Sequence, residues 1–300
     1  MKVLLAGRFD AGEREAWLRH LGAAMPEAQW MGLAEARAQA HEIQAAVVAN
    51  PPPGSLQGLP NLRLIQSLWA GVDRLLADAT LPTRVPLARM VDPAMTAAMA
   101  ETALWAVLSL HRGFFDYQQQ QREGVWRELA QRRADEVRVL ILGQGELGRA
   151  VASRLAAQAY AVAGWRRDGS ELAPKLAQAD IVVNLLPLTP ATRGLLDAGF
   201  FATLPPGASV VNLARGAHVV DDDLLDALDR GRLHRAVLDV FHTEPLPAAH
   251  PFWRHPKVTM LPHAAALTDP RSAAAVAVAN LRSARDGTAM AHLVDRGRQY

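Results

Sequence analysis

Residues 137–148 of the chain have the sequence Val-Arg-Val-Leu-Ile-Leu-Gly-Gln-Gly-Glu-Leu-Gly. A short apolar run ends in Gly143, Gly145 and Gly148, and small apolar residues at helical spacing follow. The order predicts a strand, a tight turn and a helix. Gly143 permits the turn, Gly145 lets a pyrophosphate approach the backbone, and Gly148 packs the helix on its strand. Because a helix start attracts anions, this stretch predicts a dinucleotide-binding unit.

Length and composition set the broad class. With 300 residues the chain is near the size at which one core splits into two, so two domains are expected. Hydrophobic residues make up 50% and charged residues 21%, as in ordinary globular proteins. The 32 Lys and Arg are interspersed with 30 Asp and Glu, which argues against binding to nucleic acid. The chain has no Cys, the apolar start is too short for a signal peptide, and no membrane span is expected. A cytoplasmic enzyme is the expected class.

The N-terminal part reads as alternating strands and helices. Residues 3–7, 43–49 and 62–67 are apolar runs typical of buried strands. Asp10 with Glu13 three residues later predicts a capping box at the start of a helix.

The last of these strands runs into Trp69-Ala70-Gly71-Val72-Asp73. A glycine turn that opens a short helix can offer backbone N–H groups to an anion. A plain strand-to-helix corner is the alternative, and this segment alone favours that alternative.

Residues 93–121 are predicted to form one long helix that starts the second domain near Asp92. Its apolar residues extend round more than one face, which indicates burial on several sides or contact with another subunit.

After the glycine turn, residues 160–165 predict the second strand of this domain, and Arg166 and Arg167 follow it. An NAD-specific site carries an acidic residue here for the ribose 2′-OH. Guanidinium groups pair well with phosphate, so the arginines predict a preference for NADP(H), with NAD(H) possible. A solvated arginine pair near Asp168 is the alternative.

Charged side chains follow three of the later predicted strands. The strands cover residues 181–186, 208–213, 236–241 and 258–261. Arg215, Glu244 and His263 each lie just past a strand's carboxyl end, the edge at which open α/β sheets bind ligands. Arginine can hold a carboxylate, histidine can donate a proton, and glutamate can orient the histidine. Singly, the three could be a surface ion pair, a solvated acid and a partly buried histidine; their conjunction favours a catalytic site.

These residues resemble the D-isomer-specific 2-hydroxyacid dehydrogenases over nearly the whole chain. The motifs are the glycine turn at 143–148, Val-Asn-Leu-Ala-Arg-Gly at 211–216, Leu-Asp-Val-Phe at 238–241 with Glu-Pro-Leu-Pro at 244–247, and Leu-Pro-His-Ala-Ala at 261–265. Ile-Gln-Ser-Leu at 65–68, Ala-Gly-Val-Asp at 70–73, Trp-Arg-Arg at 165–167 and Trp-Arg-His-Pro at 253–256 are similar to the glyoxylate/hydroxypyruvate reductase A branch.

The resemblance implies two doubly wound parallel-sheet α/β domains with an interdomain cleft. Residues 1–92 and 265–300 would form a flavodoxin-like substrate domain, and residues 93–264 a Rossmann-type cofactor domain. The resemblance further implies a homodimer joined through the helix predicted at 93–121.

The resemblance also assigns roles to residues. Arg215 would bind the substrate, His263 would be the acid/base, and Glu244 would hold His263. Substrate contacts would come from Trp69, Ala70, Gly71, Arg215 and His263. Cofactor contacts would come from Gly143, Gln144, Gly145, Glu146, Leu147, Gly148, Trp165, Arg166, Arg167, Leu186, Pro187, Thr192, Ala214 and Asp239.

The resulting hypothesis is an NADPH-dependent reductase of small 2-oxo acids, converting glyoxylate and hydroxypyruvate to glycolate and D-glycerate. The alternative is a nicotinamide-dinucleotide-sensing protein without significant turnover. No metal is expected, because His242, His250 and His255 lack ligand spacing and the chain has no Cys. The acceptor's side group is expected to meet Asn50, Trp69 and Arg89, which leaves the preferred 2-oxo acid open.

Overall fold

A computed structural model of the chain describes residues 1–167 and 171–300. The chain divides into two compact units. Unit 1 comprises Met1–Met95 and Thr268–Tyr300, and unit 2 comprises Thr96–Leu267. The sequence-predicted limits lay at 92/93 and 264/265.

Unit 1 is built on a five-stranded parallel sheet in the order β2-β1-β3-β4-β5. Its elements are β1 (Lys2–Gly7), α1 (Ala11–Ala24), β2 (Gln29–Met31), α2 (Leu33–Ala38), β3 (Ile43–Ala49), β4 (Leu64–Ser67), α3 (Asp73–Leu76) and β5 (Leu87–Ala88). This strand order is the flavodoxin-like one. The predicted capping box is confirmed: Glu13 N donates to Asp10 Oδ1 at 2.8 Å, and Asp10 N donates to Glu13 Oε2 at 3.1 Å.

The predicted helix over residues 93–121 is wrong as a single helix. The chain forms α4 (Pro93–His111) and α5 (Phe114–Glu123), separated at Gly113, whose φ is +66°. A left-handed residue cannot continue an α-helix, and the apolar pattern that crosses it hid the break.

Helix α4 also qualifies as a candidate membrane span, contrary to the sequence expectation. Its 18-residue window has a mean hydropathy of 1.2, and 44% of that window is buried within the structure. A core helix passes the same test of length and composition.

The described residues of unit 2 form a six-stranded parallel sheet in the order β11-β10-β9-β8-β6-β7. The strands are β6 (Arg138–Leu142), β7 (Ala161–Trp165), β8 (Ile181–Asn184), β9 (Ala208–Asn212), β10 (Leu233–Leu238) and β11 (Val258–Met260). The helices are α6 (Glu146–Ala156), α7 (Ala173–Leu176), α8 (Ala198–Thr203) and α9 (Asp221–Asp229); α10 (Pro270–Asp286) returns the chain to unit 1. The prediction of two parallel-sheet α/β domains is confirmed.

Alternate residues of the unit 2 strands face opposite layers, as the pleat requires. Val139, Ile141 and Val183 belong to a cluster with α4 and α6, whereas Leu140 and Val182 belong to a cluster with α8 and α9. Strands β8 and β9 are buried along their whole length, which explains why their sequences are mostly apolar. The sheet's order reverses between β6 and β8, so the glycine turn that follows β6 lies at the switch point where such sheets bind ligands.

Candidate active site

The glycine turn has the geometry that a dinucleotide pyrophosphate requires. A Cβ on Gly148 would lie 1.8 Å from the carbonyl oxygen of Gly143, and Gly143 itself has a φ of +98°. A Cβ on Gly145 would meet nothing within 4 Å. Gly145 is the N-cap of α6 and makes no side-chain cap hydrogen bond. The turn therefore offers open space in front of a helix start, which fits an anionic group.

The other predicted residues of the turn pack against it. Gln144 folds over β7, where a Cβ on Gly164 would lie 2.4 Å from its Cδ, and its Nε2 donates to the Ile141 carbonyl at 3.3 Å. Glu146 is paired with Arg149. These contacts of Gln144 and Glu146 stabilise the turn.

Strand β7 ends beside β6 with two exposed arginines. Arg167 Nη1 donates to the Ala191 carbonyl at 2.8 Å, which ties it to the loop after β8. Trp165, predicted to contact the cofactor, is 7% exposed and packs in the core. Asp168, which could weaken the argument for NADP(H), lies outside the described residues.

The loop after β8 is held by its own threonines. Thr192 Oγ1 donates to the Pro187 carbonyl at 2.7 Å and accepts from Thr189 N at 2.9 Å. Leu186 is 5% exposed, with its side chain in the core. Thr192, predicted from the family to lie along the cofactor, thus has its hydroxyl engaged in shaping that loop.

Arg215 follows β9 and is brought to the edge of the sheet by its neighbours. Asn212 Nδ2 donates to the Arg215 carbonyl at 2.9 Å, and Asn212 Oδ1 accepts from Ala214 N at 3.2 Å. A Cβ on Gly216 would lie 2.0 Å from the carbonyl carbon of Phe241. The Arg215 segment therefore lies directly against the loop that carries Glu244.

His263 and Glu244 are in contact although 19 residues separate them. His263 Nδ1 lies 2.8 Å from Glu244 Oε2, and Glu244 Oε1 accepts from Phe241 N at 3.0 Å. The side chain of His263 is 48% exposed and that of Glu244 is 22% exposed. A carboxylate on Nδ1 fixes the imidazole and directs proton exchange to Nε2.

Asp239 fixes the main chain next to His263 through hydrogen bonds. It is 2% exposed, and its carboxylate accepts from Ala264 N at 2.7 Å and from Ala265 N at 3.1 Å. His263 N donates to the Asp239 carbonyl at 2.8 Å, and His263 has a left-handed φ of +54°. Burial raises the pKa of Asp239, while these N–H groups and the His263 charge oppose the rise. The resemblance assigned Asp239 to the cofactor, and nothing in the sequence indicated this contact with the His263 segment.

In unit 1 the predicted substrate turn follows β4 and precedes α3. Ser67 Oγ lies 3.0 Å from both the nitrogen and the carbonyl oxygen of Trp69, and Met90 N donates to that oxygen at 3.1 Å. Trp69, Ala70 and Gly71 are partly exposed. The hydroxyl and Met90 thus fix the shape of the turn.

Each of His242, His250 and His255 lies near an aspartate. Asp221 lies 3.6 Å from His242 Nε2 and 3.4 Å from His250 Nε2, and His255 pairs with Asp229 at 3.2 Å. Within residues 1–167 and 171–300, no group of three or more His, Cys, Asp or Glu could hold a metal ion.

One buried histidine was not identified from the sequence. His218 is 0% exposed and lies between the Arg215 and Pro187 carbonyls. The sequence places His218 only three residues after Arg215, which could have drawn attention to it. The residues around it, however, show the pattern of an ordinary loop.

Comparisons with known proteins find matches over most of the chain. The family model described as D-isomer specific 2-hydroxyacid dehydrogenase, NAD binding domain, matches residues 104–265. Glyoxylate/hydroxypyruvate reductase A of Serratia proteamaculans strain 568 is 41% identical over 94% of this chain and 95% of its own length.

Two solved structures extend the likeness to the whole chain. A D-isomer specific 2-hydroxyacid dehydrogenase from Xanthobacter autotrophicus Py2, in complex with NADPH and MES, has a TM-score of 0.93 and 38% identity, covering 100% of this chain and 99% of that chain. An NADPH-dependent glyoxylate/hydroxypyruvate reductase from Sinorhizobium meliloti, in complex with NADP and sulfate, has a TM-score of 0.92 and 33% identity at the same coverage.

Proposed function

Because this chain belongs to the D-isomer-specific 2-hydroxyacid dehydrogenase family, we propose that it is an NADPH-dependent reductase of glyoxylate and hydroxypyruvate, with glycolate and D-glycerate as products. The observation that carries the proposal is the 2.8 Å contact between His263 and Glu244, at the sheet edge that also carries Arg215. A nucleotide-sensing protein without turnover would not need this acid/base pair.

His263 supplies the proton in this mechanism. Its Nδ1 is held by Glu244, so Nε2 is the nitrogen that can protonate the carbonyl oxygen of a 2-oxo acid. The negative charge of Glu244 stabilises the imidazolium before the transfer. The half-exposed ring is accessible to a small substrate.

Arg215 binds the acid and stabilises charge. Its guanidinium can pair with the substrate carboxylate and with the oxygen on which charge grows. The main-chain N–H groups of Ala70 and Gly71 are proposed to take part in binding the substrate. The chemistry that a bound NADPH supplies is the hydride.

The cofactor would be held by the glycine turn and the arginines after β7. The open space at Gly145 receives the pyrophosphate, and Asp239 is proposed to accept from the nicotinamide carboxamide with the lone pairs that Ala264 and Ala265 leave. The exposed guanidinium groups of Arg166 and Arg167 are suited to the 2′-phosphate of NADP(H). The complexes of the two solved relatives with NADPH and NADP support this preference.

The assembly is proposed to be a cytoplasmic homodimer. Helices α4 and α5 expose 39% of Trp105 and 50% of Phe114, which a second copy of the chain would cover. Sedimentation velocity of the parent chain and of a Trp105→Asp variant measures this, because only the parent should sediment as a dimer.

The test of the function is a spectrophotometric assay of NADPH oxidation with glyoxylate, hydroxypyruvate and pyruvate, repeated with NADH. The His263→Ala variant serves as the blank. Oxidation well above the blank, and a lower Kd for NADPH than for NADH, are expected. NADPH binding without oxidation by the parent chain would favour the sensing protein.

A further inference from the structure

His218 is a fully buried imidazole that the mechanism above does not use. Its Nδ1 lies 3.2 Å from the Arg215 carbonyl oxygen, and its Nε2 lies 3.3 Å from the Pro187 carbonyl oxygen. One carbonyl belongs to the proposed substrate arginine and the other to the proposed cofactor loop. The ring thus bridges two functional loops of unit 2.

Buried asparagines join the same two loops. Asn184 Nδ2 donates to Asn212 Oδ1 at 3.0 Å, Asn212 Nδ2 donates to the Arg215 carbonyl, and Leu186 N donates to Asn184 Oδ1 at 3.2 Å. Both asparagines are 0% exposed. Polar groups enclosed in this way are stabilised only when they are paired, so the network specifies one arrangement of the loops.

The arrangement leaves the Arg215 backbone little freedom. Gly216 already lies against Phe241, where even a Cβ would be 2.0 Å from backbone, so this neighbour blocks movement on that side. On the other side the imidazole limits movement away from the Pro187 loop. Removal of the ring would release Arg215 without leaving either carbonyl unpaired, because Asn212 and Thr192 still donate to them.

We propose that His218 is a positioning residue that sets the place of the Arg215 guanidinium by lying between the Arg215 and Pro187 carbonyls and donating a ring N–H to one of them. The proposal rests on the proposed function, in which Arg215 binds the substrate carboxylate. His218 itself touches neither substrate nor cofactor. Its effect is therefore expected only when the arginine is present.

A double-mutant cycle on ligand binding tests this dependence. Oxalate, an unreactive analogue of a 2-oxo acid, is titrated into the NADPH-saturated protein. His218→Leu should weaken oxalate about tenfold in the parent chain, the scale of one hydrogen bond, and by less than about twofold in an Arg215→Ala background. In the Arg215→Ala background oxalate is titrated to high concentrations, so that its weaker Kd is still measured. His218→Gln, which keeps a donor, should recover most of the affinity.

His255→Leu is the matched control. The His255 side chain is 9% exposed and pairs with Asp229, and its Nδ1 accepts from Lys257 N at 3.2 Å, next to the amino end of β11. This variant loses a largely enclosed imidazole at the opposite edge of the sheet, and the oxalate Kd should not change. If His218→Leu does not fold, His218→Asn, which is too short to span both carbonyls, replaces it in the cycle.

Two results would overturn the proposal. One is an unchanged oxalate Kd in the His218 variant, and the other is the same loss in both backgrounds, which would mean a general effect on structure. The double-mutant cycle measures the Kd of oxalate, so its result does not depend on turnover. A parent chain that binds oxalate through Arg215 but oxidises no NADPH would contradict the proposed function and leave the role of His218 supported.

Discussion

Gly145→Ala and Gly148→Ala should separate the two tasks of the glycine turn. A Cβ at position 148 would lie 1.8 Å from the Gly143 carbonyl oxygen, although real Cβ contacts stay beyond 3.0 Å. The backbone must therefore move by more than about 1 Å, a displacement that costs roughly 100-fold where groups must be placed accurately. A Cβ at position 145 meets no protein atom within 4 Å, so it can conflict only with a ligand.

The two variants should differ in stability as well as in binding. Gly145→Ala keeps an ordinary backbone conformation, with φ of −76°, and should lower the free energy of unfolding by less than about 1 kcal/mol. Its methyl group in the pyrophosphate space should cost about 1–3 kcal/mol of binding, or roughly 5- to 150-fold in the Kd for NADPH. Gly148→Ala should lower the free energy of unfolding by about 3 kcal/mol and also weaken NADPH.

The assay is fluorescence titration with NADPH combined with urea unfolding of each variant. Gly22→Ala is the control, because it lies in α1 of unit 1 and a Cβ there also meets nothing within 4 Å. It should leave the Kd unchanged. If Gly145→Ala binds NADPH as the parent does, the pyrophosphate does not approach that backbone and the assignment of the turn is refuted.

Two further predictions concern the acid/base pair and an ion pair that joins α5 to β10. His263→Ala should lower kcat by about 10²- to 10⁴-fold while the Kd for NADPH changes little, and comparable losses in both would assign His263 to structure. Asp116→Asn should destabilise the chain by about 3 kcal/mol at neutral pH, because the buried Arg235 loses the negative charge with which it pairs. Arg235 is 4% exposed and lies 2.9 Å from the Asp116 carboxylate. Asp226→Asn, which removes the charge from an exposed ion pair, is the control. Burial raises the pKa of Asp116, but His234 and Arg235 outweigh burial and hold that pKa below its usual value. The stabilisation by this ion pair is therefore fully present above the ordinary pKa of a carboxyl group. Urea unfolding should show that it is lost as the pH falls through the lowered pKa of Asp116.

Local patterns determined much of the fold. The glycine spacing after an apolar run predicted β6, its turn and α6, and the Asp10–Glu13 spacing predicted the start of α1. Strands β8 and β9 were identifiable because both of their faces are buried, so apolar residues dominate both faces of each strand. Strands β2 and β5 escaped prediction, because their three and two residues show no period, whereas the equally short β11 lies in the apolar run at 258–261.

The sequence also indicated which chemistry meets at the carboxyl edge. Arg215, Glu244 and His263 could be selected because each follows a predicted strand, and parallel strands end at one edge. The sequence led us to expect that Glu244 holds His263. Only the structure shows how, through a 2.8 Å contact between Glu244 and Nδ1 of His263.

By itself, then, the sequence determined most of the strands, their parallel pairing and the residue types at the functional edge, because periodicity, glycine and capping act over a few neighbouring residues. Only the tertiary structure decided that Asp239 hydrogen-bonds the main chain next to His263 and that His218 lies between two carbonyls. It also decided that Asp116 contacts Arg235, which lies 119 positions further along the chain. Such contacts join segments that packing alone brings together, and no local pattern in the chain encodes them.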